Sequence, residues 1–147
     1  MLKKIAAITS ALLVSATVMF GGVFDVFKGY NYISAEETAE LIRTNPQSIV
    51  LVDIQEKPGF AKEHLIGAIE TNAYPVKKQD ELDRLAALLP QIKPEQKVII
   101  VCPRGGGGAD RAYDFYLKSG INKDNIFTLK KGQEGWPREQ ISDVLVR

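Results

Sequence analysis

Cysteine is nearly absent from this sequence, since Cys102 is the single one among 147 residues. No internal disulfide is available to it, so the protein is not a disulfide-stabilised scaffold. An excess of one charge is also lacking, because 19 Lys and Arg face 18 Asp and Glu, a formal net charge of +1. Such a balance provides no field for gathering nucleic acid, and we therefore exclude nucleic-acid binding. The length is sufficient for one globular domain.

The first 24 residues differ in composition from the rest. Two basic residues, Lys3 and Lys4, precede an apolar run from Ile5 to Phe24, and small residues occur at 14–16. This pattern predicts an export signal. Because a run of about 20 apolar residues also suffices to cross a bilayer, residues 1–24 are predicted to be a signal peptide or a membrane anchor. Either form delivers the remaining chain outside the cytoplasm, to the periplasm or another extracytoplasmic space.

Strands and helices are predicted to alternate through the remaining chain. Apolar, β-branched runs favour strands at 29–33, 49–53, 97–102 and 125–129, and the apolar segment 65–69 leads into another short strand. Capping signals and helical spacing of apolar residues favour helices at 35–43, 78–89 and 109–119, with a short helical turn at 60–64 after a break at 57–59. This alternation predicts an α/β protein with a mostly parallel sheet of about five short strands, covered by helices on both faces.

The segment that carries chemistry runs from Val98 to Arg111, with the sequence VIIVCPRGGGGADR. Cys102 ends a predicted strand, and ligands bind beyond the carboxyl ends of strands in an open parallel sheet. Consecutive glycines let backbone N–H groups converge and form a site for an anion. We therefore predict that Cys102 is a reactive thiol with a pKa below that of a free cysteine. Its substrate is predicted to be bound by Arg104, Gly105, Gly106, Gly107, Gly108 and Ala109.

Other glycine-rich sites fit this segment less well. A dinucleotide-binding fingerprint needs a glycine where Asp110 stands, and a nucleotide P-loop needs a Lys followed by Ser or Thr, which is missing here. A merely flexible strand–helix turn does not explain why a cysteine stands at its start. Neither a metal ion nor a cofactor is expected.

Three segments in this order resemble the rhodanese (sulfurtransferase) domain family. Residues 53–69, DIQEKPGFAKEHLIGAI, resemble the family's Asp-Val-Arg-Glu…Phe…His-Ile-Pro-Gly-Ala segment. Val101 and Cys102 with the glycine loop match its active-site strand and loop, and residues 132–136, GQEGW, resemble its closing segment. The chain departs from the family pattern at Gln55, which replaces an arginine, and at Lys131, which replaces a glycine.

This resemblance implies a three-layer α/β/α rhodanese domain over residues 29–140. It implies that Cys102 takes a sulfane sulfur from thiosulfate or polysulfide as a persulfide and passes it to a thiophilic acceptor, which can be a partner protein. Two alternatives stay open: a sulfur carrier without turnover, and a rhodanese-fold phosphatase or arsenate reductase. The phosphatases close their loop with an arginine where this chain has Gly108, which disfavours phosphate chemistry.

Four polar residues outside the glycine loop are also candidates. His64 and Asp53 are predicted to have structural roles, the first beside a packed turn and the second as a hydrogen-bonding brace at a strand end. Lys130 and Lys131 follow the last predicted strand and are candidates for attracting an anionic substrate.

Overall fold

The computed structural model describes residues 29–147, of which residues 32–147 form one compact unit. The predicted signal peptide or anchor at 1–24 lies outside the described residues, so export stays a prediction. Within residues 29–147, no helix is both long enough and apolar enough to cross a membrane. The described residues include the whole of the predicted domain.

A five-stranded parallel sheet lies at the centre. Its strands are β1 (Tyr32–Ile33), β2 (Ile49–Asp53), β4 (Ile69–Glu70), β5 (Lys97–Val101) and β6 (Ile126–Leu129). They are arranged in the order β1-β6-β5-β2-β4, and every neighbouring pair is parallel. The inner strands β2 and β5 are almost entirely buried, as their continuous apolar runs predict. Cys102 follows β5 directly, so it lies at the middle of the carboxyl edge of the sheet.

Helices cover both faces of this sheet. They are α1 (Ala35–Thr44), α2 (Lys57–Lys62), α3 (Gln79–Ala86) and α4 (Gly107–Lys118). On one face, Leu51 and Ile99 belong to the same buried cluster as Ala39 of α1. On the other face α4 packs on β5 and β6, and the hydroxyl of its Tyr116 donates to the carbonyl of Leu85 in α3, 2.9 Å away. The predicted three-layer α/β/α fold is confirmed.

Two predicted helix starts were too late, and two short strands were not predicted. Residues 65–69 lead into a short strand, β4, as expected, but β3 (His64–Leu65) precedes it, separated by a turn in which Gly67 has φ +85°. β3 pairs in antiparallel fashion with β7 (Leu145–Val146), a contact that no local pattern signals. The expected break at 57–59 is the first turn of α2, where a proline is tolerated. Helix α4 begins at Gly107, so two of the four loop glycines are helical.

A buried carboxylate ties the C-terminal residues to the domain. Glu63 is 8% exposed, and its Oε1 accepts hydrogen bonds of 2.8 Å from both Gln133 and Arg138. Its Oε2 accepts from Nε of Arg138 at 3.0 Å and from Nε of Arg147 at 3.3 Å. Gln55, which stands where the family pattern has an arginine, donates to the backbone carbonyl of Glu63 at 3.2 Å. The positive charge facing Glu63 therefore comes from the C-terminal arginines.

We predict that Glu63→Gln weakens the fold at neutral pH and flattens its acid dependence. Hydrogen bonds from Arg138, above all, lower the pKa of Glu63 from 4.5 to about 2. Because the folded-state pKa is depressed, this stabilisation is present above about pH 4.5 and is lost as the pH falls toward 2. Urea unfolding from pH 7 down to pH 3 measures it. Glu139→Gln, at an exposed position, is the control. If the free energy of unfolding depends on pH with the same slope in both variants, the prediction is contradicted.

Candidate active site

The sulfur of Cys102 lies inside a cradle of backbone N–H groups. Cys102 is 1% exposed, and its Sγ accepts a hydrogen bond of 2.6 Å from the amide of Gly105. The amides of Arg104, Gly106 and Ala109 also face it and favour its charged form. These groups belong to the Cys102 loop (residues 102–106) and to the first turn of α4. The structure therefore brings the predicted thiol together with four of the six predicted substrate-binding residues through their main chains.

A second turn, which follows β6, packs against the Cys102 loop. Gly132 has φ +66°, and a Cβ atom there would meet the carbonyl oxygen of Pro103 at 2.6 Å and the amide of Arg104 at 2.7 Å. The amide of Gln133 donates to the carbonyl of Cys102 at 2.8 Å, and that of Glu134 to the carbonyl of Pro103 at 2.9 Å. We call residues 131–134 the Gly132 turn. Gly105 and Gly132 both have positive φ, and the turns that contain them pack against each other. This packing fixes the position of the sulfur.

Lys131 occupies a left-handed backbone position in this turn. Its φ is +67°, a region that favours glycine, and the family pattern has a glycine at this place. The substitution noted in the sequence is therefore accommodated by the backbone at a cost of order 1 kcal/mol. Both Lys130 and Lys131 are exposed, so their predicted attraction of an anionic substrate stays a prediction.

We predict that Gly132→Ala disturbs the Cys102 loop far more than Gly67→Ala does. Both glycines have positive φ, but a Cβ at Gly67 meets nothing within 4 Å, whereas one at Gly132 overlaps the backbone of the Cys102 loop. The extra loss in free energy of unfolding is expected to be roughly 1–3 kcal/mol. Chemical unfolding measures it, and the alkylation rate of Cys102 reports the loop geometry. Equal losses in the two variants contradict the close packing.

The pKa of Cys102 is raised, opposite to the sequence-based prediction. Burial is the largest cause, because it disfavours the charged thiolate. Hydrogen bonds from the amides of Gly105, Arg104, Gly106 and Ala109 lower the pKa but do not outweigh the burial. The prediction counted the amides and the helix N-terminus and could not count desolvation. Burial therefore disfavours the thiolate in the folded protein.

We predict that alkylation of Cys102 by iodoacetamide has its pH midpoint above the roughly 8.5 of a free cysteine. The thiolate is the reacting form, and burial keeps its population small until the pH rises further. Mass spectrometry of the alkylated chain at a series of pH values measures the midpoint. The same chain in denaturant is the control, because Cys102 is its single thiol. A folded midpoint below the denatured one contradicts the raised pKa.

An aromatic ring fills the space beside Gly108. A Cβ atom at this position would lie 2.7 Å from Cδ1 and Cε1 of Tyr74 and 3.5 Å from Cδ1 of Ile54. Tyr74 is held there by its amide, which donates to the carbonyl of Ile54 at 2.9 Å. No side chain fits at position 108 unless the tyrosine moves. The place of the phosphatase arginine is therefore occupied by a ring from another part of the chain.

Arg104 contributes its backbone to the cradle and extends its side chain toward solvent. The side chain is 73% exposed, and its Nη1 lies 3.6 Å from Oε1 of Glu134, which is also exposed. An exposed ion pair of this length contributes little stability. Its predicted role as a ligand for the substrate anion stays a prediction.

Asp53 and His64 make the contacts of structural residues. Asp53 is fully buried at the end of β2, where its carboxylate accepts hydrogen bonds of 3.0 and 3.1 Å from the backbone and side chain of Gln55. Burial raises its pKa to about 6. Nδ1 of His64 lies 2.7 Å from the carbonyl of Phe60, and its ring stacks on Phe60 with 3.8 Å between centroids. Within residues 29–147, no cluster of His, Cys, Asp and Glu could hold a metal ion.

Two side chains beside the site were missed from the sequence, Tyr74 and Arg111. No local signal marks Tyr74, because it approaches Gly108 from a different loop. Arg111 was recoverable in principle, since it lies four residues after Gly107 and therefore on the same side of α4. A Cβ atom at Gly107 would lie 3.3 Å from its Nη1.

The fold and the site together define a class: a parallel α/β domain with a cysteine at the end of a central strand, beside a loop and a helix N-terminus. Residues 34–139 match the family model described as the rhodanese-like domain. The chain belongs to the rhodanese-like family, which includes sulfurtransferases. Among curated proteins, no match was found.

Solved structures share this fold. A rhodanese-related protein from Thermoplasma volcanium is 20% identical, with a TM-score of 0.53 over 75% of this chain and 93% of that one. A protein from Lactobacillus plantarum is 19% identical, with a TM-score of 0.62 over 85% and 94%. The As-Sb reductase from Leishmania major is 20% identical, with a TM-score of 0.58 over 79% and 81%. At these identities the likeness concerns the fold alone.

Proposed function

We propose that this protein is a sulfurtransferase that carries a sulfane sulfur on Cys102, taken from thiosulfate or polysulfide. The observation that supports it most is the convergence of four amides on one sulfur atom. Backbone N–H groups in such a cradle stabilise an anion without a metal or a charged side chain. The N-terminus of α4, which supplies the amide of Ala109, adds a partial positive charge in the same place.

The transfer requires two displacements at divalent sulfur. The Cys102 thiol first loses its proton to solvent, and the thiolate attacks the outer sulfur of thiosulfate. The new S–S bond forms as the old one breaks, and sulfite leaves with the bonding electron pair. An acceptor nucleophile, either a small thiophile or a thiolate of a partner protein, then attacks the outer sulfur of the persulfide. Cys102 leaves as a thiolate, so no external oxidant or reductant is needed.

A sulfur anion suits this cradle better than a phosphate ester. A phosphoryl group presents three charged oxygens and is gripped by a guanidinium fork together with several amides. Here Gly108 stands at the position of that fork, and the Tyr74 ring fills the space where a side chain would extend. A sulfane sulfur needs only a thiolate aimed at it and a polarising concavity for the negative charge.

We predict that incubation with thiosulfate or polysulfide raises the intact mass of the protein by one sulfur atom. The gain is expected in the wild type and not in Cys102→Ser, because the outer sulfur is bonded to Cys102. Subsequent addition of cyanide should remove it. Cys102→Ser changes one atom at a buried position and is therefore a matched control. A wild-type mass that stays unchanged with every sulfane donor rules out the proposal.

Turnover separates the enzyme from its alternatives. Steady-state formation of thiocyanate identifies a sulfurtransferase, whereas loading without turnover identifies a sulfur carrier that delivers to a specific protein. Hydrolysis of an aryl phosphate that depends on Cys102, or reduction of arsenate that depends on it, instead identifies the phosphatase or arsenate reductase class.

A further inference from the structure

A guanidinium group lies against the exposed side of the Cys102 cradle. Arg111 belongs to α4, one turn after Gly107, and its Nη1 and Nη2 lie 3.3 and 3.5 Å from the position of a Cβ on Gly107. Gly106 and Gly107 are exposed, so the guanidinium borders the part of the cradle that solvent reaches. A side chain at 107 would displace the guanidinium by a few tenths of an ångström.

The position of Arg111 is fixed by a single backbone contact. Its Nε donates to the carbonyl of Pro75 at 3.0 Å. Pro75 follows Tyr74, whose ring packs at Gly108, so one loop holds both the ring and the arginine beside the start of α4. Within residues 29–147, neither Nη1 nor Nη2 has a hydrogen bond or an ion pair. The two terminal nitrogens therefore remain available for a ligand.

Arg104, by contrast, is already paired. Its Nη1 faces the carboxylate of Glu134 at 3.6 Å, and its side chain is 73% exposed. A carboxylate at this distance competes with an incoming anion for the guanidinium. Asp110 precedes Arg111 on α4, and the guanidinium favours its ionised form without a direct ion pair between them. Within residues 29–147, Arg104 therefore has a carboxylate oxygen within 4 Å of its guanidinium, whereas Arg111 has none.

We propose that Arg111, rather than Arg104, is the substrate-binding cation of this site and recognises the anionic end of the sulfur donor. This assignment rests on the proposed function for its substrate class. Planar guanidinium nitrogens pair with the oxygens of a sulfonate or carboxylate group, and also attract the terminal charge of a polysulfide. The anion is held at the rim, while its divalent sulfur enters the cradle toward Cys102.

The test compares two alkylating reagents of similar size and different charge. Iodoacetate is an anion and iodoacetamide is neutral, yet both form a thioether with Cys102 and release iodide. In Arg111→Gln the rate with iodoacetate should fall about twofold to fivefold, the effect of an exposed ion pair. The rate with iodoacetamide should change much less. Any shift in the pKa of the thiol affects both reagents alike and cancels in the ratio of the two rates.

Lys118→Gln is the matched control, because it removes an exposed cation from the last turn of the same helix. It should leave the ratio of rates close to that of the wild type, and thermal unfolding should show that all variants are folded. Arg104→Gln tests the alternative cation. An unchanged ratio in Arg111→Gln, or a larger change in Arg104→Gln, overturns the assignment. Because alkylation needs no sulfur transfer, this result is independent of whether the protein is a sulfurtransferase.

The same variants test whether Arg111 affects the loading of Cys102 with sulfur. Arg111→Gln should slow persulfide formation from thiosulfate more than it slows the reaction of Cys102 with a neutral organic trisulfide. In that reaction the thiolate attacks the central sulfur, a mixed trisulfide forms and an alkanethiolate leaves. If no donor loads any variant, the proposed function fails while the alkylation ratio still decides the role of Arg111. If thiosulfate and the trisulfide are slowed equally, the guanidinium does not recognise the charge of the donor, and the assignment fails.

Discussion

Backbone N–H groups from the Cys102 loop and from the start of α4 converge on one sulfur atom, and much of the surrounding structure holds them in that arrangement. The loop can turn tightly because Gly105 has φ +78°. It stays in place because the amides of Gln133 and Glu134, in the turn after β6, donate to the carbonyls of Cys102 and Pro103. The site is therefore made of main chain, and its side-chain identities matter chiefly through the backbone conformations that they permit.

Burial and hydrogen bonding act in opposite directions on this sulfur. Burial at 1% exposure favours the neutral thiol, whereas the amides favour an anion. In the free protein burial prevails, and the thiol pKa is raised. Under the proposed function, the persulfide displaces the negative charge outward by one sulfur atom, toward the exposed glycines. The desolvation cost falls there while the N–H groups remain near, so the same cradle would favour the loaded state over the resting thiolate.

The features that depend on a local sequence pattern could be predicted from the sequence. The buried runs at 49–53 and 97–101 predicted the two central strands, and the order of strand, cysteine, glycines and helix predicted the site. Long-range contacts and the degree of burial of individual side chains could not be predicted from the sequence. The pairing of β3 with β7 joins residues about 80 positions apart in the sequence, and the raised pKa of Cys102 depends on how completely the fold covers the sulfur. The contact of Tyr74 with Gly108 and those of the C-terminal arginines with Glu63 likewise form only in the folded protein.

The placement of charge around the cradle bears on which anions it can select. At Gly108 the Tyr74 ring excludes a side chain, so no guanidinium can enter the cradle from that position. Arg111 is one helical turn further along, and its guanidinium lies beside Gly107. A cation inside the cradle compensates charge on the atom under attack, as phosphoryl chemistry requires. A cation at the rim compensates charge on a group remote from the attacked atom. Thiosulfate and polysulfide carry their charge in that way, because the sulfur that is transferred is separated from a charged end of the donor.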